Sequence, residues 1–577
     1  MPLFGHHARK RRKKFYYRFR PDARERLTQV FSIAGTVTHN ERYKQFLHQL
    51  MGFENIQSLP LPKSMCVTPR PYQQKGFEWL AFLARYGLNG VLADDMGLGK
   101  TMQTIAQLTR MRDECGFAPS LIVTPTSLAD NWKNEFAKFS PEMRVMIYRG
   151  SPTKRDRLRN DIVPRENDGA PNADPENAHK GFDIVIATLG TVRNDVSLLR
   201  KVMWRYVIVD EAHFIKNAAA GVAKAVKTIP ARHRLALTGT PIQNRLTELW
   251  SLFDFLMPGF LGRQSHFTQQ YEEPIMLMQS GRAETEEQYA SGKNAAERLR
   301  EKIFPFVLRR LKTDVAKDLP PKIESDIFCP LTPEQTALYK GFGESEEAKR
   351  AVSDIVEKGD GSSPAILAAL IGLRKICNHP DLLYLPKDGG RQRVIEPIPG
   401  YETRSGKLEA LGELLEECRE GGHRALIFCQ LTSMMDILGH YVKSKGMKYL
   451  RIDGETPGMS RQKLVEQYNG DPSIETFLIS TRAGGAGLNL TGADTVIFYD
   501  HDWNPANDQQ AQDRAYRIGQ TRTVNVYRLI CKGTLEEKIL RRQALKKALA
   551  SSIVTHDNAG VKDLSREELL SLFTLSE

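Results

Sequence analysis

Ten short runs of branched and aromatic residues, in two series of five, constrain this chain more than any other feature of its sequence. The first series is Gly90–Ala93, Leu121–Thr124, Ile184–Thr188, Tyr206–Asp210 and Arg234–Thr238. The second is Ala425–Cys429, Tyr449–Asp453, Thr476–Ser480, Thr495–Tyr499 and Asn525–Leu529. Longer stretches of helical character separate them. The runs lack the in/out alternation of a half-exposed sheet, so they read as parallel strands covered on both faces by helices. Two series imply two α/β lobes. Most polar motifs fall just beyond strand C-termini, where open parallel sheets place their ligands.

Length agrees, since 577 residues exceed what one hydrophobic core organises. At 41% hydrophobic and 26% charged, the chain reads as an ordinary folded, soluble one. Apolar runs such as Leu121–Val123 and Ile184–Ala187 stop far short of a membrane span, and no apolar stretch follows the basic N-terminus as in a secretory signal. Seven cysteines without a CxxC pair suggest neither a zinc knuckle nor a disulfide framework, and fit a reducing compartment. The net charge is +13, and eight lysines and arginines fall within the first 20 residues, which contain no acid. Such an arm suits nucleic acid or a nuclear address, and equally a solvated, disordered end.

Asp94-Asp95-Met96-Gly97-Leu98-Gly99-Lys100-Thr101 follows a strand and precedes an apolar-periodic helix. Gly97 and Gly99 let backbone N–H groups approach phosphates at a helix N-terminus, Lys100 can reach the β/γ-phosphates, and Thr101 can hold Mg²⁺. Asp94 stands where the general phosphate-loop pattern has its first glycine, so a Gly-rich turn of structural meaning alone stays open. Asp210-Glu211-Ala212-His213 closes the apolar run Val207–Val209. Two acids at a strand end can divide labour, Asp210 holding Mg²⁺ and Glu211 deprotonating the attacking water. Arg514 and Arg517 are three apart, hence expected on one helix face, and two guanidiniums suit a transferring γ-phosphoryl group. A surface arginine pair is the alternative from spacing alone.

The ordered set is more specific than its parts. Arg70-Pro71-Tyr72-Gln73, the phosphate loop, the DEAH tetrapeptide, Thr238–Asn244 (TGTPIQN), Leu308-Arg309-Arg310, Ser480–Gly487 (STRAGGAG) and Gln510–Gln520 (QAQDRAYRIGQ) resemble the SWI/SNF-like ATPases of helicase superfamily two. The resemblance covers about residues 65–550. It implies two RecA-like lobes with helical insertions and a C-terminal helical brace, ATP and Mg²⁺ in a cleft, and double-stranded DNA gripped by both lobes. It adds Gln73 as an adenine reader, and Asp95, Leu98 and Gly487 to the nucleotide-binding set, with the arginines of lobe two completing the site on closure. Tyr516 stands where many members have His; the flanking arginines remain. DNA contacts are expected at Thr124, Ser127, Thr188, Lys216, Asn217, Gln430, Ser480, Thr481, Trp503 and Asn504, as phosphate contacts without sequence readout. For Trp132 and Trp503 a core or lobe-packing role competes with base stacking. No strand-splitting pin is visible, which favours duplex tracking.

The implied organisation is a basic extension over 1–60, a first lobe over 61–320, a helical inter-lobe region over 321–405, a second lobe over 406–533 and a brace over 534–577. Asn160–Gly181 reads as a surface insertion, and Thr534–Glu537 and Ser565–Glu568 as capping boxes opening C-terminal helices. His423–Gln430, Leu490–Asp494 and Asp500–Pro505 are similar to the subfamily that strips TATA-binding protein from promoters, although fewer than seventy residues precede Arg70, too few for that subfamily's helical repeats. Gln543–Val554 also resembles recombination translocases, and Ala231–Thr240 bacterial solitary members. The resulting expectation is an ATP-dependent translocase on duplex DNA that displaces or remodels bound protein, a nucleosome or a transcription factor. A strand-separating helicase and a nucleotide-gated DNA-binding scaffold are the alternatives. The expected location is the nucleus, or a bacterial cytoplasm and nucleoid, with no membrane partner.

Overall fold

The computed structural model describes residues 9–11, 14–16, 56, 58–159, 162, 181–239, 246–279, 285–358, 363–384, 396–484, 488–502 and 505–540. The chain divides into two compact units, one of Met1–Asp95 and Gly99–Leu311, the other of Met96–Leu98 and Lys312–Glu577.

The first unit is built on seven parallel strands. In chain order these are β3 (Gly90–Leu92), β4 (Ser120–Thr124), β5 (Val145–Tyr148), β6 (Ile184–Thr188), β7 (Trp204–Val209), β8 (Ala231–Leu237) and β9 (Val307–Leu308). Across the sheet they run β5-β6-β4-β7-β8-β3-β9. Each central strand is buried on both faces: Ile122, Tyr206 and Ile208 pack into one core, and Leu121, Val123, Val207 and Val209 into the other. This two-sided burial is why the sequence shows continuous apolar runs. Helices α1 (Pro71–Arg85), α2 (Lys100–Cys115) and α3 (Ala129–Phe139) cover the first of these faces through Trp79, Leu83, Ile105, Leu108, Trp132 and Phe136.

The second unit repeats the design with six parallel strands: β10 (Lys322–Cys329), β11 (Ala425–Cys429), β12 (Tyr449–Ile452), β13 (Thr476–Ser480), β14 (Thr495–Phe498) and β15 (Val524–Cys531), ordered β10-β15-β14-β11-β13-β12. Alternate residues of β11 again serve opposite cores, Ile427 and Cys429 on one face and Leu426 and Phe428 on the other. All ten expected runs are strands.

Five strands among the described residues are additional to that reading. β1 (Arg9–Arg11) and β2 (Lys14–Tyr16) pair antiparallel within the basic arm. The edge strands β5 and β9, four and two residues long, lie outside the ten runs. The remaining correction is Lys322–Cys329, read from sequence as part of a mixed, helical connector; it pairs with β15 along its whole length. As an edge strand it exposes Glu324, Asp326 and Phe328, which broke the apolar signal. The expected insertion at 160–181 falls, but for Ile162 and Gly181, outside the described residues, as does the second capping box.

The first C-terminal cap is present. The Thr534 hydroxyl accepts from the Glu536 N–H at 3.2 Å, and residues 535–540 are helical. This turn is fastened by a buried ion pair. Lys407, near the start of α4 (Gly406–Glu420), donates to Glu536 at 2.7 Å and to the Tyr499 carbonyl at 2.9 Å, while the second Glu536 oxygen accepts from the Cys531 N–H. Burial works against both charges, yet their attraction leaves Lys407 above and Glu536 below its ordinary pKa. Removing one partner strands the other charge in the core. Lys407→Met or Glu536→Gln alone should therefore destabilise the second unit by about 3–5 kcal/mol in urea unfolding, and Lys407→Met with Glu536→Leu should recover most of the loss.

Candidate active site

β3 runs into the phosphate-loop motif, and α2 begins at Lys100. Gly97 and Gly99 both sit at φ +82°, the left-handed region that side chains disfavour, so the loop needs glycine at both positions. Leu98 between them is fully buried and anchors the turn. The free N–H groups of α2 and its dipole then suit a phosphate chain. The Lys100 ammonium donates to the carbonyls of Asp94 (2.6 Å) and Asp95 (3.3 Å), holding it over the loop. Gln73, on the first turn of α1, accepts from the Arg70 N–H at 3.0 Å; its amide nitrogen lies only 2.4 Å from where a Cβ on Gly99 would stand. The expected adenine reader and phosphate loop are therefore in contact.

At the end of β7 the two acids occupy different environments. One Asp210 oxygen accepts from the Trp132 indole N–H at 2.7 Å and from the Thr124 hydroxyl at 3.3 Å, while the other accepts from the Glu211 N–H at 2.9 Å. Burial, then repulsion from Glu211, pushes the Asp210 pKa up to about 6. A carboxylate this short of counter-charge, with the Thr101 hydroxyl as the second expected donor, offers the oxygen ligands that Mg²⁺ takes, so the residues fit the ion. Glu211 stands at φ +51°, the one non-glycine residue with positive φ among the described residues. That conformation costs on the order of 1–3 kcal/mol and gathers at functional sites. Its carboxylate lies 3.2 Å from His213 Nδ1, and the His213 ring lies tilted against Phe214 with centroids 4.2 Å apart. Trp132 is the functional residue that sequence reasoning left undecided. It is neither a stacking platform nor core alone, and no local pattern reveals a bond to an acid 78 residues away.

In the second unit, Arg514 and Arg517 are not on one helix face as expected. The helix Pro505–Gln512 ends before them, and they lie on successive tight turns. Beyond the helix, the Ala515 carbonyl accepts from the Gln520 amide at 3.3 Å and the Tyr516 carbonyl from Lys312 at 2.5 Å. Lys312 also pairs with Asp513 at 2.7 Å, fixing the segment. Arg514 is buried, and Arg517 is half-buried with a bond to the Leu488 carbonyl. Gly487, Trp503, Asn504 and 240–244 of the TGTPIQN motif lie outside the described residues.

Several expected DNA contacts are committed elsewhere. Thr124 is fully buried and turned to Asp210. Thr188 caps a helix, accepting from the Thr191 N–H at 3.3 Å, and Ser480 accepts from Ala483 N–H at 3.2 Å; Thr481 is buried beside it. Lys216 is buried at 3.3 Å from Glu248, and burial drives its pKa down to about 8. Gln430 accepts from Arg374 at 2.9 Å and donates its N–H to Asp500. Thr188 and Ser480 thus satisfy backbone N–H groups just beyond buried strands, whereas Thr124, Lys216 and Gln430 are turned to charged side chains. Ser127, half-exposed in a short turn beside exposed Thr126, and Asn217, exposed, keep surface available.

Comparison with known proteins follows the same division. Residues 72–382 match the family model for the SNF2-related domain, and residues 406–519 that for the helicase conserved C-terminal domain. The chain is 42% identical over 585 residues to TATA-binding protein-associated factor MOT1 of Saccharomyces cerevisiae, covering 93% of this chain and 30% of that protein. It is 40% identical over 580 residues to TATA-binding protein-associated factor 172 of Homo sapiens, covering 92% and 30%. The Sulfolobus solfataricus SWI2/SNF2 ATPase core in complex with dsDNA is 36% identical, covering 90% of this chain and all of that one, with a TM-score of 0.41. The chain thus spans about 30% of the length of its TATA-binding-protein-associated relatives. It belongs to the SNF2-related family of helicase-superfamily ATPases.

Proposed function

We propose that this chain is the motor of an ATP-driven translocase on double-stranded DNA, which displaces DNA-bound protein such as a TATA-binding-protein complex in the nucleus. The observation that carries the catalytic half is Glu211, held in a strained conformation beside a differently bonded Asp210, on the same sheet edge as the phosphate loop. The partner half rests on membership of the SNF2-related family and on relatives named for association with TATA-binding protein.

In this reading Gln73 holds the adenine edge, and the N–H groups of 97–101 with Lys100 hold the β- and γ-phosphates. Thr101 and Asp210 hold Mg²⁺, which neutralises charge on the phosphate oxygens when bound. Glu211 accepts a proton from water as the water oxygen bonds to the γ-phosphorus and the bond to the β-γ bridging oxygen breaks. Arg514 and Arg517 stabilise the charge spreading over the transferring group. Ser127 and Asn217 are assigned to DNA phosphates. Hydrolysis by the purified chain should rise steeply with duplex DNA of arbitrary sequence; equal stimulation by single-stranded RNA contradicts the proposal.

Lys100→Ala should weaken ATP binding, whereas Glu211→Gln should bind ATP and stall before cleavage, since one residue holds ground-state charge and the other acts on water. Equilibrium binding of a fluorescent ATP analogue beside single-turnover hydrolysis separates the two. Arg514→Ala and Arg517→Ala should leave ATP affinity nearly intact and lower kcat by up to about 10³-fold. Trp132→Phe keeps the packed ring but removes a hydrogen bond to a charged acceptor worth roughly 1.5–3 kcal/mol. It should lower kcat by about tenfold or more while the chain stays folded at the assay temperature with a melting temperature lowered by several degrees, measured by steady-state kinetics and thermal unfolding.

A further inference from the structure

Arg310 closes the Leu308-Arg309-Arg310 motif, to which no step above assigns a role. Its backbone and side chain both reach the nucleotide loop. β9 lies beside β3, pairing Val91 with Val307 and Leu92 with Leu308. The pairing continues past the strands, with the Ala93 N–H donating to the Leu308 carbonyl at 2.7 Å and the Asp95 N–H to the Arg310 carbonyl at 3.0 Å.

The guanidinium then spans three elements. Nε donates to Asp94 at 2.8 Å and Nη2 to the second Asp94 oxygen. Nη1 donates to the carbonyl of Tyr72, the residue before Gln73, with the guanidinium 5.2 Å from the Tyr72 ring centre. Nη2 also donates to Gln103 Oε1 at 2.7 Å, on α2 one turn beyond Lys100. Gln103 in turn donates to Asp94 and to the Gly99 carbonyl, each at 3.3 Å. Asp94 and Gln103 are fully buried. The neighbouring helix leaves room by being glycine: a Cβ on Gly76 would stand 1.8 Å from Gln103 Oε1 and 2.7 Å from Arg310 Nη2. This also explains why Asp94 replaces the usual first glycine of the loop. It does not face phosphate; it is the acceptor that holds Arg310.

We infer that Arg310 is a positioning residue of the nucleotide site, fixing the adenine-reading end of α1 against the phosphate loop without touching nucleotide. A planar fork with donors on three sides can tie Tyr72, Asp94 and Gln103 together, and a lysine ammonium cannot reach all three. The inference rests on Gln73 reading adenine and on the loop binding phosphate. Its consequence is specific: when the two ends lose their fixed spacing, adenine contacts suffer while phosphate contacts persist. Discrimination of ATP from GTP should fall before turnover does.

The test compares kcat and KM for ATP and GTP, with saturating duplex DNA, in the full chain and three variants. Arg310→Lys keeps the charge. Arg310→Gln with Asp94→Asn removes both charges, so no buried carboxylate is stranded if the lysine form unfolds. Gln73→Ala reports on the underlying reading. The expected result is an ATP-to-GTP ratio of kcat/KM lowered by about tenfold or more in all three. For the Arg310 variants the loss should lie in KM for ATP, with kcat at saturation and melting temperature close to wild type. A wild-type ratio in both Arg310 variants, with the ratio lowered in Gln73→Ala, overturns the inference alone. So does an equal fall in turnover for both nucleotides, the mark of a merely structural residue. An unchanged ratio in Gln73→Ala removes the adenine reading and the inference with it.

Discussion

Parallel strands buried on both faces govern everything else in this molecule. With helices packed against both sides of each sheet, the strand C-termini become the natural outlet for polar chemistry. Asp94, Thr124, Thr188, Asp210 and Thr238 all follow from or close strands of the first sheet at that edge. The apolar interior does more than stabilise the fold. It strips water from one side of Asp210, so that the acid depends on the few donors the edge supplies.

Those donors come from different strands, and that is how the sheet shapes the site. Asp210 closes β7, Thr124 closes β4 beside it, and Trp132 descends from the helix that follows. The turn carrying exposed Thr126 and half-exposed Ser127 lies between the two donors in sequence. A surface able to contact a phosphate backbone is thus a few residues from groups that orient the proposed Mg²⁺ acid. Glu211, one residue further, is rotated into left-handed backbone, so the neighbouring acids face different surroundings.

The sequence made the architecture legible because two-sided burial writes itself as uninterrupted apolar runs. The phosphate loop and DEAH tetrapeptide were legible because glycines at φ +82° and paired acids at a strand end are local requirements. What escaped was non-local. The edge strand Lys322–Cys329 hides its apolar residues among charges, and the helix expected to carry Arg514 and Arg517 stops at Gln512, the segment beyond it held by Lys312 some 200 residues distant. Thr124 and Lys216 have side chains suited to phosphate, yet their partners, Asp210 and Glu248, appear only when the chain is folded. Strand position for Thr124 and family resemblance for Lys216 pointed to DNA phosphates, and neither could show these internal partners.

The central claim is that hydrolysis drives movement along an intact duplex. It is tested most directly by displacement of a triplex-forming strand from blunt double-stranded DNA, with a forked duplex run in parallel. The account predicts ATP-dependent loss of the third strand from the blunt substrate, no separation of the forked duplex, and no displacement by Glu211→Gln. Separation of the forked strands without triplex displacement would contradict it, and would identify an unwinding helicase instead.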